Sequence, residues 1–204
     1  MSKKLLALLP EAIHTSIKDW IKTLPEETTP QQMWLACKRA DWLAQLLLWS
    51  FNEKVPSEVT RQMVACAIDI ATVVTHIHDN VSPQRRLVPY VRQLPSNAQE
   101  AERRAGSALW YLKYHGEDPN LSSKAARAAR AARAARAASR AAAALKQKLG
   151  PYLIETPDFN VATSEAVYAV IEACYATEKT RLYYKLANMF RRHFPECPIK
   201  EKEH

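Results

Sequence analysis

Glycine is almost missing: three residues in 204, none of them in an Asn-Gly or Asp-Gly pair of the kind that closes a two-residue hairpin. A sheet of short antiparallel strands therefore has no turn signal, and the expectation is an all-α fold. No apolar run reaches about 18 residues, so no membrane-spanning helix is expected. The opening MSKKLLALLPEAIH has too short an apolar part, and no small-residue cleavage site, to read as a secretory signal. Cys37, Cys66, Cys174 and Cys197 form neither a CxxC pair nor a Cys/His set at metal-ligand spacing. They read as reduced, partly buried thiols of a cytoplasmic protein. HExxH, P-loop, GxSxG and glycine-rich phosphate loops are all absent. No catalytic residue, metal or cofactor is assigned, and no enzymatic activity is expected.

Acid is missing from one stretch altogether. Residues 122–149 hold eight basic side chains, no carboxylate, no proline and no aromatic residue. The chain has 29 basic and 21 acidic residues; without these eight, 21 basic residues face 21 acidic ones, so the net charge of +8 equals the charge of this tract. Alanine and arginine are both strong helix formers. Ser122 or Ser123 can cap the start, and Gly150-Pro151 is a stop signal. The tract is predicted to be a rod of roughly 40 Å. A three-residue repeat steps back about 60° per arginine, so Arg127, Arg130, Arg133 and Arg136 fan across half the circumference, and Arg140 falls among them. The other half carries only methyl groups. Arg133, Arg136 and Arg140 share a face and can converge on one anion, since guanidinium forks match phosphate and carboxylate oxygens.

The remaining chain reads as helices separated by prolines. Two short ones meet at Pro10, followed by the linker PEETTP (25–30) and a long helix from Pro30 to Phe51. That helix is apolar over most of its surface, which predicts burial of Trp42, Leu43 and Leu46. Arg39 falls inside its apolar arc and needs a carboxylate, Asp41 or Asp69, or a ligand. Another helix is expected over 57–78, with Asp69, Thr72 and His76 on its polar face. A connection follows over 82–95, then a helix from Ser96 to His115. After the rod, 151–160 is expected to be a loop, and a last helix runs from Thr163 or Ser164 to His193. Glu165, Glu172 and Glu178 on that helix read as solvated. The expected organisation is a single-domain bundle of six or seven helices, made of an N-terminal helical segment (1–29), a main helical domain (30–195) with the 31–51 helix at its centre and the rod along it, and a frayed tail (196–204).

Three segments carry a resemblance. CKRADW (Cys37–Trp42), VACAIDIA (64–71) and MFRRHFP (189–195), with the Ala/Arg tract, make the chain similar to an alanine-rich helical immunity-protein family of bacteria and phages. In CKRADW, Lys38 stands where that family has Asn. The resemblance implies binding and neutralisation rather than catalysis. Immunity proteins against nucleases tend to be acidic, whereas this chain is basic, which favours an anionic target. The leading expectation is a counter-defence protein that sequesters a phosphate-bearing nucleotide signal in an arginine-lined groove of Arg130, Arg133, Arg136, Arg140, Arg39 and Lys38. The alternatives are an immunity or inhibitor protein that binds a protein toxin or effector, then a nucleic-acid binder. The last is disfavoured because the rod has no aromatic readers among its cations. A further copy of the chain is also open as a partner.

Overall fold

The computed structural model describes residues 3–11, 13–51, 55–81, 119–145, 158–177 and 180–199. The fold is all-α: the described residues form eight helices and no strand. These are α1 (Lys3–Ala7), α2 (Thr15–Lys22), α3 (Pro30–Ala36), α4 (Ala40–Ser50), α5 (Ser57–Val81), α6 (Pro119–Ala144), α7 (Phe159–Tyr175) and α8 (Thr180–His193). The helix expected over 96–115, the 82–95 connection and the stop at Gly150-Pro151 lie outside the described residues. No described helix is long and apolar enough to cross a membrane.

Helices α5, α6 and α7 pack against one another, and α4 and α8 close the bundle against α7 and α5. The rod is thus flanked by α5 and α7, and its expected place along the 31–51 helix is corrected. It begins at Pro119, whose missing N–H suits a first helical turn, so Ser122 and Ser123 lie inside the helix rather than at its start. Its alanines at 131, 132, 134, 135, 137, 138, 141 and 144 are all buried, together with Ser139. Each methyl contributes about 0.8 kcal/mol or less, but their smallness lets two helices lie close on either side. Ile17 and Ile21 from α2 join the same core as Leu43, Ile70, Val170 and Leu186.

The expected helix from Pro30 to Phe51 is two helices. Thr29 and Gln32 form a reciprocal capping box at the start of α3. The chain then turns extended at Cys37 and at Arg39, where φ is −122° and ψ 116°. The carbonyls released by the break are met by Arg191 of α8, whose Nη1 donates to Cys37 O at 2.6 Å and to Trp34 O at 3.3 Å. The break rotates α4 relative to α3, so a wheel drawn through both misplaces residues. Leu43 and Leu46 are buried as expected, whereas Trp42 is half-buried against Trp20 and Leu35 is exposed.

The last expected helix also divides. Asp158 is the N-cap, accepting from Val161 N at 3.0 Å, so α7 starts at Phe159 rather than at Thr163 or Ser164. Thr163 instead meets Thr60 of α5, hydroxyl to hydroxyl, at 2.8 Å in the core. At the other end, Thr177 Oγ1 donates to Cys174 O, and the Tyr183 hydroxyl donates to Thr177 O. The tail expected to fray from 196 is held at Cys197, whose N–H donates to Gln31 Oε1 at 2.7 Å. Cys37, Cys66 and Cys174 are buried free thiols; burial pushes that of Cys37 up to about 12.

If close approach of the rod holds the bundle together, a larger side chain on its buried face must separate the helices. Ala138→Leu is expected to cost about 1–3 kcal/mol by overpacking. Ala143→Leu, at a half-buried position, is expected to stay within about 0.5 kcal/mol. Urea unfolding followed by circular dichroism checks both.

Candidate functional site

The arginine fan does not converge on a single point. Arg140 Nη1 is 3.1 Å from Glu165 Oε1, and Arg133 and Arg130 each place Nη1 3.8 Å from Glu172 Oε2. Arg130 also lies over the Tyr175 ring, 5.0 Å from its centroid. Helices α6 and α7 are antiparallel, so Arg133 and Arg140, seven apart, match Glu172 and Glu165, seven apart. Two turns of α7, about 10.5 Å, separate the two acids. The expected single-anion grip of Arg133, Arg136 and Arg140 is therefore divided along the seam, with Arg136 half-buried between its neighbours. Glu172 and Glu165 are not solvated: their side chains are 8% and 18% exposed. Their spacing, equal to that of the arginines, was the available signal. Partial desolvation, and then the charge of Glu172, raise the Tyr168 phenol above its usual value.

Arg39 is elsewhere. It sits at the start of α4 and grips Asp41 with both arms, Nε to Oδ1 at 3.0 Å and Nη2 to Oδ2 at 2.6 Å. Asp41 was one of its two expected partners. Asp69, the other, instead holds His193 of α8 at 3.0 Å, and Thr72 donates to Ile68 O within its own helix. The side chain of His76 is outside the description. The Arg39 guanidinium lies over Trp42 and Tyr183, at 4.8 and 5.6 Å from the ring centroids. The hydrogen bonds to Asp41 raise its pKa further. Asp41 also neighbours Cys174, whose thiol is raised well above its usual value, first by burial and then by that carboxylate. Glu172 and Cys174 are two residues apart on α7 and so point about 200° apart. The fan and Arg39 are on different sides of α7 and do not share a groove.

Lys38 leads to a third place. Its Nζ lies 5.0 Å from the centroid of Tyr184, and Tyr184 lines an open cleft of about 800 Å³ between α5 and α8. Arg181, Lys185, Asn188 and Arg192 follow at helical spacing (i, i+4, i+7, i+11) along one face of α8, above an apolar floor of Val73, Leu182 and Met189. No carboxylate lines the cleft among the described residues. The nearest described acid along α5 is Asp69, one turn before Val73 and already on His193. The sequence analysis missed this site. Its signal was the helix TRLYYKLANMFRRH itself, which has four basic residues and no acid.

Comparison with family models, curated proteins and solved structures gives no match, and the functional reading rests on this geometry.

Removing Arg39 leaves Asp41, 2% exposed, without its guanidinium. Arg39→Ala is expected to cost about 3 kcal/mol, with the Arg39→Ala/Asp41→Ala pair recovering part of the loss because the buried charge leaves too. Equal midpoints in urea for the wild type and Arg39→Ala would contradict the assignment.

Proposed function

We propose that this chain is a non-enzymatic binding protein that sequesters an anionic, phosphate-bearing small molecule, of the nucleotide class, in the α5–α8 cleft. The observation that carries the reading is the cleft's lining: three cations on one helix face, unopposed by any described carboxylate, beside an exposed tyrosine ring and an apolar floor. Guanidinium and ammonium groups suit phosphate oxygens, the tyrosine face suits a planar base, and the volume is in the range of small-molecule sites. Among the described residues the lining is cationic, aromatic and apolar, which suits holding a phosphate-bearing ligand. Lys38, over Tyr184, belongs to this site. The fan arginines do not, because Glu165 and Glu172 already oppose three of them.

Holding a nucleotide signal lowers its free concentration, and this is how such a protein would act in counter-defence. The similarity of Cys37–Trp42 to the immunity-protein segment supports the same class of action, neutralisation by binding.

Calorimetric titration with inorganic phosphate and with mono-, di- and cyclic nucleotides tests the proposal. The wild type is expected to bind at least one nucleotide and return it chemically unchanged. Arg181→Gln/Lys185→Gln/Arg192→Gln is expected to lose at least tenfold in affinity, and Arg133→Gln/Arg140→Gln, compared at a temperature where circular dichroism shows it fully folded, less than threefold. Loss in the second variant with retention in the first would move the site to the fan. No binding by the wild type would end the sequestration reading.

A further inference from the structure

The outer face of α7 carries a row of open apolar and aromatic side chains, touched from the bundle by Arg130 over Tyr175. Val161, Tyr168 and Tyr175 are 44%, 45% and 50% exposed and stand seven residues apart. Ser164, exposed, and Ile171, half-buried, fill the positions between them. The spacing of three, four, three and four is that of a straight helical ridge, about 21 Å long from end to end. Three of the five exposed large apolar side chains among the described residues belong to it, the others being Leu35 and Tyr184.

One flank of the ridge is the α6 arginine row. Arg130, Arg133 and Arg140 keep 40%, 43% and 53% of their side chains exposed, with the seam glutamates 3.1–3.8 Å from their guanidinium nitrogens. A guanidinium has five N–H donors in a fixed fork, so one carboxylate at 3.1–3.8 Å leaves it able to take a second. Tyrosine and arginine around a central apolar strip are the residue types that dominate binding energy at protein interfaces.

We infer that this ridge docks an acidic amphipathic helix of a partner protein, with apolar residues on Val161, Tyr168 and Tyr175 and carboxylates on Arg130, Arg133 and Arg140. Charge selects this occupant. An antiparallel second copy would set arginine row against arginine row, and a parallel one would leave each row without a free carboxylate to meet, since Glu172 is buried and Glu165 is already paired with Arg140. A nucleic acid would find three arginines offset by two glutamates, beside a strip whose largest exposed area is hydrocarbon and phenol. A heptad-spaced ridge fits a helix of similar length by ridge-into-groove packing. The inference is independent of the ligand assigned to the α5–α8 cleft.

The test is selection from a displayed library of 21-residue helical peptides, with leucine fixed at the heptad apolar positions and the flanking positions varied among Glu, Gln and Lys. Binders recovered on the full-length protein are expected to carry Glu on one flank. As free peptides, they are expected to lose at least tenfold in affinity toward Tyr168→Ala and toward Arg133→Gln/Arg140→Gln, with melting temperature within about 2 °C of wild type for Tyr168→Ala. Affinity is also expected to fall as salt is raised. Four results would overturn the inference: no enrichment over the Tyr168→Ala protein, selection of Lys or Gln flanks, tighter binding of single-stranded RNA than of any peptide, or a wild-type dimer in sedimentation that Tyr168→Ala dissolves.

Discussion

The α6–α7 seam is the constraint on which the bundle depends. An alanine surface lets helices lie close, but it is smooth. Methyl groups of equal size at every position give little preference for one rotation or one register over the next. Here the ion pairs supply what the alanines cannot. Glu172, nearly out of water, is tolerable only where cations meet it, because a lone buried carboxylate costs several kcal/mol. Arg130 and Arg133 face it at 3.8 Å, by charge rather than by a hydrogen bond to its Oε2, and Arg140 with Glu165 makes a closer pair, 3.1 Å, two turns away. The bond from Asp158 N to Ala144 O closes the same seam at its end. Once α6 is fixed in rotation, its remaining alanines face α5 and the core.

The CKRADW segment is a second organising point. An unbroken helix through it would bury Arg39 in an apolar arc. The break at Cys37–Arg39 avoids that by turning the guanidinium back onto Asp41, in the first turn of α4, where a carboxylate is also favoured by the helix dipole. The exposed end of α3 then accepts Arg191 from α8, and Asp41 sits against Cys174 of α7. Four helices thus meet around one short extended segment.

What could be read from the sequence followed from local physics. Helix content, the proline boundaries, the rod and the Arg39–Asp41 pair are all set by neighbours in sequence or by the cost of burying a charge. What could not be read was decided by tertiary partners. Apolar periodicity alone does not show a break that Arg191, some 150 residues away, makes affordable, and Trp42 was misplaced for that reason. Glu165 and Glu172 look solvated on their own helix and become seam residues only when α6 lies antiparallel beside them. The cleft was hidden by bookkeeping of charge. Outside residues 122–149 the chain is neutral in sum, and that sum conceals α8, which carries four cations and no acid.

Two basic surfaces therefore differ in kind, although both are made of the same side chains. On α6 the arginines are opposed by glutamates, so their geometry is fixed while much of their field is cancelled. On α8 the cations meet no described carboxylate across the cleft they line, so among the described residues the field there adds up. A compact ligand with several negative charges gains most from the second, where attraction is summed over three groups and focused by an apolar floor. An extended partner gains most from the first, where hydrocarbon contact along the Val161–Tyr175 ridge provides the area and the oriented guanidiniums set direction and exclude wrong partners. The total charge of +8 identifies neither surface. Its division between paired and unpaired cations is what separates the proposed place to hold a small anion from the proposed place to align a helix.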